Sequence, residues 1–420
     1  MSSETVREWL ETHADEMVEF QTGLSARPAL SPDNNGQGEW EKARFIEEYL
    51  RRHGLDHIGH FDCPDDRVPE GSRPNLVVTI AGERPSPVYV VLCHMDVVPP
   101  GERLPDGSWR DWDSDPYTVH RIGDFLVARG VEDDQQAIVS SVFAARALLE
   151  TGVQLGQTVK LIMVSDEETG SFFGLRYLLR KHRDIFGPGD AILVPDGGSA
   201  DSTMMEIAEK TVLWLEFTVR GKQGHTSLPG LAINTARAAA RLTYLLDKEL
   251  NERFDKVDHL YEPPYSTFEP TLHAANVPNV NTIPGEDVFC FDCRILPCYN
   301  VDIVLSLARA QCAYVDEKTG TTTEMRIRMR DDAPPPTSPD APVVRILADA
   351  ARKVYGVDPV PRGKGAVTVA GPLRKAGLDA VVWMTCLGTV HQANEKCSIR
   401  HMIGDARVFA EVFRTPLADD

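Results

Sequence analysis

The sequence predicts an α/β fold: a mostly parallel sheet flanked by helices, with an inserted α+β domain. Residues 88–93, 159–165 and 191–195 are continuous apolar runs, which are typical of strands covered on both faces. Residues 135–150, between the first two runs, have apolar positions at helical spacing, so the order is β-α-β. The length of 420 residues exceeds one ordinary core and predicts at least two domains.

The predicted sheet is interrupted by an insertion. A last buried strand of the same kind, residues 380–384, comes only near the C-terminus. Before this last strand, residues 332–342 contain five prolines and are typical of a stiff connector that leads back to the first domain. We therefore expect a main domain formed by residues 1–209 and 332–420, and an inserted domain at residues 210–331.

The inserted segment has a different pattern. Residues 213–220 alternate between apolar and polar side chains, which predicts a strand with one covered face. The other predicted elements are helices at 233–250 and 301–315 and strands near 269–275, 287–296 and 325–330. In the last strand, Met325, Ile327 and Met329 are expected to share one face. The order β-α-β-β-α-β is that of a ferredoxin-like open sandwich.

Composition excludes several classes of partner. The net charge of −19, from 63 acidic and 44 basic residues, argues against nucleic acid, which binds positive surfaces. No apolar run approaches the ~18–20 residues that span a bilayer, so no membrane segment is expected. The first ten residues lack the pattern of a signal peptide, and we expect a cytoplasmic protein.

Carboxylates and histidines follow the predicted buried strands. Open α/β sheets bind ligands at the carboxyl ends of their strands. The residues in question are His94 and Asp96 after the first strand, Asp166, Glu167 and Glu168 after the second, Asp196 after the third, His391 after the last, and Asp133 and Asp134 where the predicted helix opens.

Each of these residues also has a simpler explanation. Asp133 and Asp134 could cap a helix, and the other acidic residues could lie in solvated turns. Their joint occurrence favours a site, because carboxylates gathered at one edge repel each other unless they bind cations. Two imidazoles and three carboxylates are a suitable ligand set for two zinc ions. Asp96 could orient the ring of His94.

Several motifs resemble those of the co-catalytic zinc metallopeptidase family that contains aminoacylase, carboxypeptidase G, succinyl-diaminopimelate desuccinylase and dipeptidases. They occur in the family's order over nearly the whole chain. They are His94-Met95-Asp96, Arg129-Gly130-Val131-Glu132-Asp133-Asp134, Asp166-Glu167-Glu168-Thr169-Gly170, Gly224-His225-Thr226-Ser227, Asn281-Thr282-Ile283-Pro284, Asp292-Cys293-Arg294 and His391-Gln392-Ala393-Asn394-Glu395.

The resemblance implies a role for each metal-site residue. Asp133 would bridge two Zn²⁺ ions, with Co²⁺ or Mn²⁺ as possible substitutes. The remaining roles are His94 and Asp196 at one ion, Glu168 and His391 at the other, Glu167 as general base and Asp96 as the residue that orients His94. The resemblance also implies a cis peptide bond between Asp133 and Asp134.

Three residues of the inserted domain receive roles in the same way. His225 would donate a hydrogen bond to the developing oxyanion of the partner subunit's substrate, so a homodimer formed through the inserted dimerisation or lid domain is expected. The alternative is that His225 is only a turn residue. Asn281 and Arg294 would bind substrate. Arg294 is a candidate clamp for a carboxylate, and the alternative is a salt bridge with Asp292.

The function predicted is hydrolysis of an amide bond in a dipeptide or short peptide, by a hydroxide that bridges two zinc ions. Asp196, where other members carry Glu, favours a peptidase. The alternatives are an N-acyl amino acid deacylase, of the acetylornithine or succinyl-diaminopimelate type, and a binding protein on the same fold. The sequence departs from the family's pattern at two places. Residues 363–368, which resemble the family's substrate loop, lack its Ser-Asp. Gln135-Gln136, at the start of the predicted helix, replaces the family's Lys-Gly.

Overall fold

The computed structural model describes residues 3–366 and 368–417. These residues form two compact units. Unit 1 runs to Ile207 and continues over Thr337–Pro361 and from Pro372 onward; unit 2 consists of Ala208–Pro336 and Arg362–Gly371. The segment Arg362–Gly371, which the sequence assigns to the main domain, therefore groups with the inserted unit. Val367, in the predicted substrate loop, lies outside the described residues.

The described residues contain ten α-helices and nineteen strands. The helices are α1 (Ser3–Thr12), α2 (Ala14–Ser25), α3 (Trp40–Arg52), α4 (Gln136–Thr151), α5 (Leu175–Lys181), α6 (Thr235–Arg253), α7 (Val301–Thr319), α8 (Pro342–Tyr355), α9 (Ala370–Lys375) and α10 (Ile399–Arg414). The strands are β1 (Ile58–His60), β2 (Cys63–Pro64), β3 (Ser72–Arg73), β4 (Leu76–Ile80), β5 (Arg84–His94), β6 (His120–Ile122), β7 (Phe125–Val127), β8 (Gln157–Val164), β9 (Ala191–Gly198), β10 (Met204–Glu209), β11 (Thr211–Arg220), β12 (Gly224–His225), β13 (Thr267–His273), β14 (Thr282–Ile283), β15 (Glu286–Ile295), β16 (Thr322–Asp331), β17 (Val360–Lys364), β18 (Ala380–Met384) and β19 (Lys396–Ser398).

The main sheet has the strand order β1-β4-β8-β5-β9-β18-β10-β17. Its central strands β8, β5, β9 and β18 are parallel, whereas β1, β4 and β10 pair antiparallel toward the edges. The buried stretch of β5 pairs with a neighbour on each side, which explains its unbroken apolar sequence. The predicted α/β fold with a mostly parallel centre is confirmed. The parallel strands bring their carboxyl ends to one edge.

Helix α4 lies in the core of unit 1. Residues 136–148 are all buried, and the helix packs against α1, α2 and α10. A helix with apolar residues on all sides is stable only when it is enclosed in this way. It ends at Gly152, whose φ of 69° is the left-handed conformation that terminates a helix without steric cost. The enclosed helix therefore gives the turn before it a rigid support.

Unit 2 is an antiparallel sheet, of strand order β13-β15-β11-β16, covered on one face by helices. Alternate residues of β11 (Leu213, Leu215, Phe217 and Val219) form its core with the apolar faces of α6 and α7. Both helices begin at an asparagine whose side chain accepts a backbone N–H, Asn234 and Asn300. The predicted open-sandwich arrangement is confirmed.

The expected alternation of the last strand is wrong in one respect. Ile327 is paired with Leu215 on the core face, but Met329 is paired with Trp214 on the opposite face. A β-bulge in β16 causes this, because one extra residue in a strand reverses the faces of all residues beyond it. Sequence periodicity does not reveal such an insertion.

None of the helices in the described residues is long and apolar enough to cross a membrane.

Candidate active site

His94 ends the central strand β5 and is fixed at three positions. Its backbone N–H donates to Asp134 Oδ2 at 3.0 Å. On the ring, Nδ1 lies 3.0 Å from the backbone carbonyl oxygen of Asp96 and Nε2 lies 2.8 Å from Asp133 Oδ1. A carbonyl oxygen only accepts, so Nδ1 carries a proton and Nε2 faces the acidic cluster. This tautomer leaves Nε2 as the ligand atom for a metal.

Asp133 lies in the turn Val131–Gln135, directly before α4. The turn begins at Gly130, with φ of 81°, and the Asp133–Asp134 peptide bond is cis, as the resemblance implies. The turn directs the carboxylate of Asp133 between two imidazoles. Its Oδ1 is 2.8 Å from His94 Nε2, and its Oδ2 is 3.1 Å from His391 Nε2. Each oxygen of Asp133 thus faces a different histidine.

The other acidic residues divide into the same two groups. Asp196, in β9, has Oδ1 at 3.9 Å from His94 Nε2. Glu168, in the turn after β8, has Oε2 at 3.1 Å from His391 Nε2. One group is therefore His94, Asp133 and Asp196, and the other is Asp133, Glu168 and His391.

Glu167 lies beside the first group. It offers a carboxylate oxygen within 4.8 Å of ligand atoms of both His94 and Asp196. The ligand atoms of His94, Asp133 and Glu168 also lie within 4.8 Å of one another. All the metal-site residues predicted from the sequence, together with Glu167, thus come together at the carboxyl edge of the sheet.

Asp96 has different partners from those expected of it. Its carboxylate accepts the backbone N–H groups of Glu167 and Glu168, each at 3.0 Å. His94 Nδ1 is closer to the carbonyl oxygen of Asp96, at 3.0 Å, than to its carboxylate, at 3.5 Å. Asp96 therefore orients His94 mainly through its backbone, and its side chain holds the acidic turn that presents Glu167 and Glu168.

The histidines and carboxylates strongly perturb one another. Burial raises the pKa of Asp133, but hydrogen bonds from His391 and His94 outweigh it and bring this pKa below its usual range. Hydrogen bonds to Asp133 and Glu168 raise the pKa of His391 to about 10. Burial raises the pKa of Glu167 to about 8, and burial together with Asp133 and Glu167 raises the pKa of Asp196 well above its usual range. Such opposed shifts are typical of a functional site.

The residues fit a pair of divalent cations. Glu168 Oε1 is buried without a hydrogen-bond partner among the described residues, which is costly unless it binds a ligand. Bound cations would favour the ionised forms of Asp133, Glu167, Glu168 and Asp196, and the four negative charges would balance two divalent ions. Nitrogen and carboxylate oxygen ligands in this mixture suit zinc.

The two groups differ in their access to solvent. The side chain of His94 is 2% exposed, whereas that of His391 is 54% exposed. His391 lies in the loop between β18 and β19 and has a φ of 62°, in the left-handed region. The group that contains His391 therefore forms the open side of the site.

The structure explains the replacement of Lys-Gly by Gln135-Gln136. Gln135 Oε1 accepts hydrogen bonds from Gln21 Nε2 at 3.0 Å and Ser25 Oγ at 2.7 Å. Gln136 Nε2 donates to Asp405 Oδ2 at 3.0 Å and to the carbonyl oxygen of Thr385 at 2.9 Å. Both amides are buried, and they attach the start of α4 to α2 and α10. In this chain the two positions support the turn of Asp133.

His225 and Asn281 are neighbours in unit 2. The backbone N–H of Thr226 donates to the carbonyl oxygen of Asn281 at 3.1 Å, and His225 is paired with Thr282. The ring of His225 is exposed, and its Nδ1 accepts the backbone N–H of Ser227 at 3.1 Å. A backbone N–H can only donate, so in neutral His225 the proton is on Nε2.

Arg294 forms the salt bridge with Asp292 that the sequence offers as the alternative to a substrate clamp. Its Nε and Nη2 donate to the two carboxylate oxygens of Asp292 at 2.7 and 2.9 Å. Its Nη1 donates to the carbonyl oxygen of Gly365 at 3.0 Å. The guanidinium therefore already holds a carboxylate from its own strand.

Three buried charged residues near the site have no role predicted from the sequence. Glu132 and Glu395 are fully buried and bind the loops that carry Asp133 and His391. Lys42 is buried in α3 and donates to the carbonyl oxygen of Met95 at 2.8 Å. Glu132 and Glu395 each lie within a metal-site motif, and that position could have indicated a role at the site. Nothing around Lys42 in the sequence distinguishes it from a surface residue.

The profile of peptidase family M20/M25/M40 matches residues 90–415. This chain belongs to that family. M20 proteins are metal-dependent hydrolases, and the resemblance inferred from the motifs is confirmed. The match includes every residue of the candidate metal site, from His94 to His391.

Relatives and neighbours of this M20 chain include both peptidases and deacylases. An uncharacterised metallohydrolase of Methanocaldococcus jannaschii is 32% identical over 416 residues, which cover 95% of this chain and 99% of the relative. A succinyl-diaminopimelate desuccinylase of Nitratiruptor sp. is 26% identical over 425 residues, 95% of this chain and 100% of the relative. Human carnosine dipeptidase 1 has a TM-score of 0.73 at 18% identity and covers 98% of each chain, a likeness of fold.

Proposed function

We propose that this chain hydrolyses the amide bond of a dipeptide or short peptide with the help of two zinc ions. The observation that carries the proposal is the position of Asp133. Its two carboxylate oxygens face two different imidazoles, at 2.8 and 3.1 Å. A carboxylate placed in this way can bridge two cations, each of which has a further carboxylate ligand of its own.

The ligand sets follow from the two groups of contacts. His94, Asp133 and Asp196 would hold one ion, and Asp133, Glu168 and His391 would hold the other. Two zinc ions held by these residues would lower the pKa of a water molecule between them and would polarise the carbonyl group of the substrate. Each imidazole must then offer an Nε2 without a proton, and for His94 the contact of Nδ1 with the carbonyl oxygen of Asp96 favours that tautomer.

Glu167 is the proposed general base. It precedes the proposed ligand Glu168, and both backbone N–H groups are held by the carboxylate of Asp96. That anchor fixes the turn, so the two neighbouring carboxylates are presented to the site together. Glu167 takes a proton from the attacking water and returns it to the leaving amine.

His225 is the proposed oxyanion donor. The hydrogen bond from the Ser227 backbone to Nδ1 leaves the proton on Nε2, where the exposed ring can donate it. A hydrogen bond to the developing oxyanion stabilises the transition state more than the substrate. We propose that the chain is a homodimer and that His225 acts in the partner's site.

Asn281 and Arg294 are the proposed substrate-binding residues of unit 2. Asn281 lies in the strand-to-strand contact that positions the loop of His225. Arg294 has its Nε–Nη2 edge occupied by Asp292. Its contribution to substrate binding is therefore through Nη1 or as a fixed positive charge.

A second candidate function is removal of the acyl group from an N-acyl amino acid. The relative from Nitratiruptor sp., which this chain matches over almost its whole length, is a succinyl-diaminopimelate desuccinylase. Asp196 at the third strand favours the peptidase, and the chemistry of the two reactions is the same.

Activity on a side-by-side panel tests the proposal. The zinc-loaded chain is assayed with dipeptides, N-acetyl amino acids and N-succinyl amino acids, and we expect the highest kcat/KM with dipeptides. Glu167→Gln serves as the control: it should bind zinc normally and lose about 10²–10⁴ in kcat. A preference for acylated amino acids would replace the first candidate by the second. Near-normal turnover of Glu167→Gln would remove Glu167 as the base.

A further inference from the structure

Two loops that are distant in sequence carry Asp133 and His391, and each loop also contains a fully buried glutamate. Glu132 directly precedes Asp133, and Glu395 follows His391 by four residues. Burying a carboxylate is costly unless hydrogen-bond donors surround it. The donors of each glutamate come from the other loop.

Glu395 binds the loop of Asp133. Its Oε1 accepts the backbone N–H groups of Glu132 and Asp133, at 2.9 and 3.1 Å. Its Oε2 accepts the N–H of Gly130 at 3.0 Å and Arg129 Nη1 at 2.6 Å. One carboxylate thus holds four donors from four residues of the segment 129–133, including the backbone of Asp133 itself.

Glu132 binds the loop of His391 in return. Its Oε2 accepts the backbone N–H and the side-chain hydroxyl of Thr389, at 2.7 and 2.8 Å. Its Oε1 accepts the backbone N–H of Leu387. These donors lie two and four residues before His391.

All four oxygens of the two glutamates accept hydrogen bonds within the protein, so neither carboxylate is offered to a metal ion. The two glutamates instead fix the positions of the Asp133 and His391 side chains. His391 Nε2 lies 3.1 Å from Asp133 Oδ2, and a small shift of either loop changes that separation. Hydrogen bonds to charged acceptors are short and strong, which suits this task.

We propose that Glu132 and Glu395 are positioning residues that form a reciprocal clasp between the two loops and set the affinity for the ion at Asp133, Glu168 and His391. The inference rests on the proposed function, which supplies the assignment of that ion. It adds a role for two residues that touch neither metal nor substrate. The clasp explains how a site that is half open to solvent at His391 keeps its geometry.

Zinc titration of the full chain tests the clasp. Glu132→Gln and Glu395→Gln each replace one accepting oxygen by an amide nitrogen that faces backbone donors. We expect two zinc ions in each variant, with the affinity of one ion weakened about 10- to 100-fold. Because the two residues act as one unit, the double variant should lose much less than the product of the two single effects.

Amide hydrogen exchange of the metal-free chain provides a readout that does not depend on activity. Glu132→Gln should speed exchange in the segment 385–391, and Glu395→Gln should speed it in the segment 128–134. This crossed pattern is specific to a clasp. Glu132→Asp, which keeps the charge but withdraws the carboxylate by one methylene group, should show the same direction if Glu132→Gln does not fold.

Asp190→Asn is the matched control. Asp190 is a buried carboxylate that also accepts two backbone N–H groups, from Val88 and Gly187, but it lies at the opposite end of β5. It should leave both zinc affinities unchanged. Wild-type zinc affinity in both glutamate variants would overturn the clasp while leaving the proposed function intact. Failure of the wild type to bind a second ion would instead overturn the proposed function itself.

Discussion

Lys42 places a buried ammonium group next to the acidic cluster. It is 1% exposed, and Nζ donates to the carbonyl oxygen of Met95, the residue between His94 and Asp96. Burial lowers the pKa of Lys42 to about 8, against the opposing influence of Asp96, Glu39 and Glu395. A positive charge held here offsets part of the repulsion among carboxylates that are buried together.

The buried lysine predicts a pH dependence of stability. Between pH 8 and 10.5 the unfolded chain keeps a proton that folded Lys42 has lost, so the free energy of unfolding rises with pH. Relative to Lys42→Met, the wild type should gain about 3 kcal/mol over this range. Chemical denaturation of both metal-free chains at several pH values measures the difference. A difference that stays constant or falls with pH would contradict the assignment.

The turn that carries Asp133 depends on a single glycine, Gly130. Gly130 has a φ of 81°, and a Cβ atom there would lie 2.5 Å from Val97 Cγ1 and 2.7 Å from Gln135 Nε2. Glycine is required for two reasons, the left-handed backbone and the lack of space. The turn, its glycine and the amide of Gln135 therefore form one packed element.

Gly130→Ala should destabilise the chain more than an ordinary left-handed glycine does. Gly123 is the matched control, because its φ is 62° and no atom lies within 4 Å of its ideal Cβ. Gly130→Ala should cost about 1–3 kcal/mol more than Gly123→Ala, since overpacking adds to the backbone strain. Denaturant midpoints of the two variants measure this. Equal midpoints would show that the turn accommodates the extra carbon without strain.

At the scale of elements, the sequence predicts what depends on local pattern. The central strands and the strand Ala380–Met384 were predictable because short apolar runs rich in β-branched residues favour a sheet covered on both faces. The bulge that turns Met329 to the other face was not, because an extra residue in a ladder has no fixed pattern.

The same limit applies to the site. The metal-site residues could be predicted because their motifs follow strands whose ends meet. The contacts of Asp96 could not, since side-chain torsions decide whether His94 meets its carbonyl or its carboxylate. Glu132 and Glu395 could not be given partners, because each binds a loop more than 250 residues away in the chain.

At the scale of the whole molecule, the proposed dimer makes each active site depend on two chains. Co-expression of His225→Ala with Glu167→Gln tests this, because each variant lacks one proposed residue. If His225 acts across the dimer, each mixed dimer contains one complete site of two. Random assembly makes half of the dimers mixed, so activity should return to about a quarter of the wild-type value. Each variant expressed alone is the control. Co-expressed dimers that remain as inactive as the separate variants would place His225 in its own chain's site.

The count of metal ions per chain tests the central claim most directly. The proposal needs Asp133 to bridge, so the zinc-loaded chain, weighed by native mass spectrometry, should carry two zinc ions. Asp133→Asn should reduce this number, because it weakens the one ligand that both ions share. A wild-type chain that binds a single ion, or an Asp133→Asn chain that still binds two with unchanged affinity, would contradict the account.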